Sequence, residues 1–302
     1  MNMKYALSIA GLVLASIPFH QTNAQARTKE GFATTWERPI TVVPDSLTNG
    51  DHKLPAYTIA VFETDANGVM DLWKADMKAL SQEVTGSRPA KASGVILTSV
   101  SETPTNLLVT TTTEKKADMT RMTVAFILTD STAAPADPRQ EAYMRSLGVK
   151  YNKAVVQTQI DTYQKMLDKA GNKLTSAQGD QAKTQQNLTK ANSNLEKLKA
   201  KRAKVMAANA EISGQIAGLE KKFALTNDPK DLQKLTKARE KLAKGETSVA
   251  KLMQSEAKAQ GTVNKYQEQL PDRAADQQEI TATKEELTTT LNALKRKHDS
   301  IQ

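Results

Sequence analysis

Residues 188–229 read LTKANSNLEKLKAKRAKVMAANAEISGQIAGLEKKFALTNDP, and their spacing decides the fold. Apolar residues return alternately after three and four positions: Leu188, Ala191, Leu195 and Leu198, then Ile212, Ile216, Leu219 and Phe223. This 3.5-residue average is the seam of a coiled coil. Followed back toward the N-terminus, the same phase reaches Ile160. Of the nineteen seam positions from Ile160 to Phe223, fourteen are Leu, Ile, Val, Ala or Phe. The train stops at Leu225-Thr226-Asn227-Asp228-Pro229. Asp228 suits a helix N-cap and Pro229 the first helical position.

A second train begins at Leu235 and keeps its phase through Leu242, Val249, Leu252, Val263, Leu270, Leu287 and Leu294 to Ile301. Two trains of similar length joined by a short turn predict an antiparallel hairpin over 140–302, with its turn at 226–229. Folding there sets Leu219 opposite Leu235, Ile212 opposite Leu242, Ala191 opposite Val263 and Leu195 opposite Ala259. Polar seam residues meet as well: Gln181 faces Arg273 with Gln277 one layer away, and Arg202 and Glu256 occupy adjacent layers. Polar residues at such positions cost stability but restrict register. Pro271 falls inside the second train and removes one helical hydrogen bond. The unbroken phase predicts a kink there; a break into three helices is the alternative.

The front of the chain has another character. Residues 27–56 carry Pro39, Pro44 and Pro55 and read as extended or loop. Residues 57–63 alternate like a strand. Val69, Leu72, Trp73, Met77, Leu80 and Val84 share one helical face over 68–84. Strands are expected over 92–101, 105–114 and 119–129, joined by short hairpin connections. The expectation for 57–130 is therefore a small α+β domain, β-α-β-β-β, with one helix on a four-stranded, mostly antiparallel sheet. Residues 131–139, with Pro135 and Pro138, read as a linker.

Residues 1–26 combine Lys4, an apolar run over 6–17 and Ala24-Gln25-Ala26, the pattern of a cleaved signal peptide. The apolar run is shorter than the ~20 residues of a membrane span. The expected location is thus outside the cytoplasm, periplasmic or secreted, with no transmembrane segment. The chain has no cysteine, so disulfides, thiol nucleophiles and zinc–thiolate sites are excluded. Charge is uneven. Residues 1–138 hold 12 Lys+Arg and 14 Asp+Glu, whereas residues 139–302 hold 30 and 19. Aromatics are only 4% of residues, few for a large globular core.

Neither HExxH, GxSxG nor a phosphate-binding loop occurs. Glu63-Thr64-Asp65-Ala66-Asn67-Gly68 looks like the first half of a calcium loop, but Lys74 stands where the bidentate glutamate belongs. A strand-to-helix turn capped by Asp65 or Asn67 is the simpler reading. No cofactor and no metal are implied, and the chain reads as non-enzymatic. One cluster invites a partner: Lys197, Lys199, Lys201 and Lys204, with Arg202 among them. Lys295, Arg296 and Lys297 form a smaller cluster near the C-terminus. Such runs are commonly solvated faces of a coil. The sharper expectation is a surface for an anionic envelope component or an acidic protein. Nucleic acid is not expected, since nothing resembles a reading module. An oligomer is left open.

The signal peptide, Trp73 in the amphipathic helix and the lysine-rich hairpin together resemble uncharacterised exported bacterial proteins that join a small N-terminal α+β domain to a coiled-coil hairpin. That resemblance implies no known activity. The chain is more loosely similar to periplasmic chaperones of the Skp type, basic proteins with coiled-coil arms on a small β body. Two functions follow as expectations: a structural or docking rod of the cell envelope, or a holdase using its basic arms.

Overall fold

The computed structural model describes Thr28 and residues 31–302, so the expected signal peptide over 1–26 lies outside the described residues. Among the described residues the fold is α+β: a seven-stranded antiparallel sheet and three α-helices. The elements run β1 (Val42–Asn49), β2 (His52–Phe62), α1 (Ala66–Leu80), β3 (Glu83–Gly86), β4 (Ala90–Val95), β5 (Thr105–Glu114), β6 (Met119–Thr129), β7 (Thr132–Ala133), α2 (Pro138–Thr226) and α3 (Pro229–Ser300). Strand order is β1-β2-β6-β5-β4-β3, and β7 adds to β6.

Four strands were expected, and the extra ones have physical causes. The prolines that suggest a loop over 27–56 sit where a sheet tolerates them. Pro44 lies on β1, an edge strand, and Pro55 lies on a stretch of β2 paired only with β1. The β1–β2 hairpin turns at Gly50, whose φ of 57° is one that glycine adopts without penalty. The expected strand over 92–101 is shorter, Ala90–Val95, and carries a register slip between Ala92 and Val95, where Gly94 holds φ 62°. The helix starts at Ala66 because Asp65 accepts a hydrogen bond from Gly68 N at 2.8 Å. It ends at Leu80, and Val84 pairs in β3 instead. Within residues 131–139, Thr132–Ala133 form β7, and Asp137 accepts from Arg139 N at 2.8 Å to open α2.

The described residues divide into two units, those up to 161 together with 290–302, and residues 162–289. In the first, α1 contributes Val69, Met70, Trp73 and Met77 to the core on one sheet face, against Ile59, Val61, Leu107, Val109, Met122 and Val124. Met144, Leu147 and Tyr151 of α2 join the same core. That is why the first turns of α2 belong with the sheet and not with a separate hairpin. Gly148 permits the close approach: a Cβ there would stand 2.8 Å from Ile40 Cγ2. A smaller cluster of Leu47, Leu54, Ala56, Leu108, Ala125 and Ile127 covers the other face.

In the second unit, α2 and α3 lie side by side and antiparallel. Leu188, Ala191, Leu195 and Leu198 pack with Ala259, Val263, Tyr266 and Leu270. Arg202 Nε donates to Glu256 Oε1 at 2.8 Å. Gln277 Nε2 donates to Gln181 Oε1 at 2.6 Å and to Ala177 O at 3.2 Å, so Gln181 meets Gln277, not Arg273. Arg273 instead lies 4.0 Å from Asp180 and Asp276. The turn uses Asn227 at φ 49° and Asp228, whose Oδ1 accepts from Lys230 N at 2.8 Å. Helix α3 continues through Pro271. There is thus no break into a third helix; Gln267, four residues earlier, is exposed, so its freed carbonyl can be solvated.

Candidate functional site

Lys197, Lys199, Lys201 and Lys204 are all exposed, but they do not form one patch. Two grooves between α2 and α3 define the flanks of the second unit. One, of about 520 Å³, is lined by Lys169, Lys173 and Asp180 of α2 and by Arg273, Asp276 and Glu279 of α3. The other, of about 250 Å³, is lined by Lys199 and Arg202 of α2 and by Met253, Glu256 and Gln260 of α3. Steps of seven residues keep a side chain on the same flank of a paired helix. Lys197 and Lys204 are in step with Lys169, and Lys201 is in step with Lys173. Those three therefore share the first flank. Lys199 lies on the second, where it donates to Glu196 Oε1 at 2.9 Å.

Residues that the sequence reading missed complete the first flank. Lys183 and Lys190 extend the α2 rank in the same seven-residue step. On α3, Lys251, Lys258 and Lys265 are in step with Glu279, which lines the first groove. All five are exposed. The signal was legible: lysine every seventh residue in both trains.

The second flank contrasts. Met206 and Met253 are 49% and 54% exposed there, and exposed Ala203, Ala210, Ala250 and Ala257 have neighbouring heptad phases. The second flank pairs Arg239 with Glu220 at 2.6 Å, nearer the turn.

The first unit holds a buried polar cluster. Lys297, expected to belong to a basic cluster near the C-terminus, is instead fully withdrawn from solvent, while Lys295 and Arg296 remain exposed. Its Nζ donates to Glu63 Oε2 at 2.6 Å, to Ala33 O at 2.7 Å and to Gln159 Oε1 at 3.4 Å. Burial pushes the amine below the usual lysine range; the Glu63 carboxylate pulls it back up, and Arg38 adds to the lowering. Glu63 holds φ 58°, a conformation costly for a side-chain-bearing residue, with its N–H bonded to Asp118 O at 2.9 Å. Glu63 is thereby committed to Lys297 and to Gln159 Nε2 at 2.8 Å, which overturns a calcium-loop role. An amine enclosed by three acceptors and no solvent is a structural tie, not a nucleophile.

A second tie is Asn152. Strand β1 ends at Val42, opposite Ile59, so Ala60 O and Phe62 N lie past its reach. The Asn152 carboxamide accepts from Phe62 N at 2.9 Å and donates to Ala60 O at 3.0 Å, standing in for a strand. Among the described residues no group of three or more His, Asp or Glu is placed to hold a metal ion, and no helix is long and apolar enough to cross a membrane. Compared with known proteins, the chain matches no family model and no curated sequence.

Proposed function

We propose that this chain is a non-enzymatic, exported structural or interaction protein. In this reading α2 and α3 form an antiparallel coiled-coil hairpin that serves as a docking rod of the cell envelope. One observation carries it: the 162–289 unit is a pair of helices fastened by an apolar seam and by polar locks, Arg202–Glu256 and Gln181–Gln277, that restrict register. Two slender helices bury too little to enclose a substrate. What they offer is a long, rigid surface, and its charge makes that surface selective for anions.

A holdase is the second reading, favoured by Met206 and Met253 on the second flank. Flexible, polarisable methionines adapt to varied apolar clients. The two readings separate in one comparison. Under the docking reading, the full chain cosediments with an isolated envelope fraction and leaves aggregation of a chemically unfolded client unchanged at equimolar amounts. Under the holdase reading, it suppresses that aggregation, and salt weakens the share of the effect that the basic arms contribute.

A further inference from the structure

We infer that the first flank of the hairpin is a binding site for a linear acidic polysaccharide lying along the trough between its two lysine ranks. This rests on the docking reading and names the partner's chemistry.

The α2 rank is Lys183, Lys190, Lys197 and Lys204, with Lys201 one phase nearer the trough, in step with Asn187 and Asn194; the α3 rank, running the opposite way, is Lys251, Lys258 and Lys265. All are exposed, and none forms a salt bridge among the described residues. Seven-residue steps repeat the charge about every 10 Å along each helix, at 1.5 Å per residue. Lys197 and Lys201 stand four apart, an arrangement that costs a helix a few tenths of a kcal/mol unless a counter-charge is supplied. Here no carboxylate of the chain supplies it. The patch also has ends. Toward the turn, Glu211 takes the next place in the α2 rank. On the other side, Asp180 and Asp276 flank Arg273. On that same side Asp272 takes the next place in the α3 rank after Lys265, so the rank positions hold lysine and no acid from Lys190 to Lys204 on α2 and from Lys251 to Lys265 on α3, about 20 Å of each helix.

The trough between the ranks carries Asn187 and Asn194 from α2 and Ser255 and Thr262 from α3, all in step with residues that line the first groove or flank its seam. This floor selects among anions. The amides can donate to and accept from sugar hydroxyls, and the Ser255 and Thr262 hydroxyls, which already donate to Lys251 O and Lys258 O, can accept from them. A lipid surface is matched poorly, because membrane-lying helices insert apolar side chains and this flank has none. Single-stranded nucleic acid is matched poorly too, because there is no aromatic platform for base stacking. An acidic protein would seek aromatic or arginine anchors at a desolvated centre, which the flank lacks. A flexible chain with periodic carboxylates or sulfates can engage both ranks at once and release counterions on doing so.

The test is titration calorimetry of the full chain with polygalacturonate oligomers at several salt concentrations. Inorganic polyphosphate, oligothymidylate, a poly-glutamate peptide and phosphatidylglycerol vesicles serve as competing anions. Lys190→Gln/Lys197→Gln/Lys258→Gln removes three charges from the flank. Lys165→Gln/Lys199→Gln/Lys221→Gln removes three exposed charges elsewhere. The expected result is saturable binding of polygalacturonate, weakened at least tenfold by the first set and less than twofold by the second, with a shallower salt dependence for the first set only. Equal loss in both sets would reduce the effect to net charge and overturn the site. Tighter binding of any competing anion would overturn the polysaccharide assignment. If polygalacturonate does not bind while the chain still cosediments with envelope, the inference fails alone. If aggregation suppression appears instead, the docking reading fails with it.

Discussion

Lys297 Nζ lies 2.6 Å from Glu63 Oε2, and both side chains are shielded from solvent, the lysine fully. The pair joins the last turn of α3 to the loop after β2, residues 234 positions apart in sequence. Removing one member of a buried pair leaves the other charge without compensation, which costs about 3–5 kcal/mol, whereas replacing both is far milder. Lys297→Met is therefore expected to lower the stability of the sheet unit strongly. Lys297→Met/Glu63→Gln should recover much of the loss. Denaturant unfolding followed by tryptophan fluorescence reads it through Trp73; a double variant no better than the single one would refute the coupling. Because the folded amine is depressed below the ordinary lysine value of 10.5, the unfolded chain binds more protons in that window. This pair's contribution accordingly grows as pH rises from the folded value toward 10.5 and is lost as pH falls back through it.

Tyr143 gives the opposite slope. Its phenol is pushed up to about 12, chiefly by burial against the sheet core, with the Asp76 charge adding to it. The unfolded phenol ionises near 10, so the contribution is complete below pH 10 and is lost as pH rises through about 12. Tyr143→Phe should flatten the alkaline decline of stability between these values. The Tyr143 share of the phenolate absorbance, taken as the native chain minus Tyr143→Phe, should rise near 12 and not near 10. A Tyr143 signal that titrates in the folded protein near 10 would refute the assigned burial.

Much of the architecture was legible, and the omissions have definite causes. The seam was readable because a two-helix pair buries little else, so most of the Leu, Ile and Val residues of the 162–289 unit mark it. Strand β1 was not readable, because Pro44 and Pro55 carry the same letters in a loop as on an unpaired strand edge. Lys297 was misread for a related reason. Its neighbours Lys295 and Arg296 are exposed, and only the long-range meeting with Glu63 and Ala33 O turns it inward. The lysine ranks needed phase as well as composition. Lys197 and Lys199 are two apart in sequence and on opposite flanks.

Asn152 allows a sharper test of a tie that no pattern announces. Its amide satisfies two backbone groups that β1 is too short to reach, and it is 1% exposed. Asn152→Leu keeps the approximate volume but leaves Phe62 N and Ala60 O without partners, at a cost of about 1–3 kcal/mol for a buried unsatisfied group. Asn152→Asp preserves the acceptor for Phe62 N and loses the donor to Ala60 O. Amide exchange at Phe62 should therefore accelerate in the leucine variant and stay slow in the aspartate variant. Equal exchange in both would mean that the side chain does not serve that edge.

The register of the helix pair can be tested covalently, because the chain contains no cysteine and two introduced thiols are the only ones present. Ala191 and Val263 pack in the same seam cluster, opposite one another when α2 and α3 run antiparallel. Ala191→Cys/Val263→Cys is expected to oxidise rapidly within one chain. Ala191→Cys/Leu270→Cys moves one partner by seven residues, about 10 Å along the helix at 1.5 Å per residue. That exceeds the ~7 Å Cα separation beyond which a disulfide does not form without backbone movement. The shifted pair should stay reduced under the same mild oxidant. Both variants are run at low protein concentration on a non-reducing gel, which separates a faster-migrating internal loop from a dimer. Oxidation of the shifted pair in preference to the first would refute the register. Oxidation of the first pair only between chains would mean that α2 meets α3 of a second copy, and the hairpin turn at Asn227 and Asp228 would have to open.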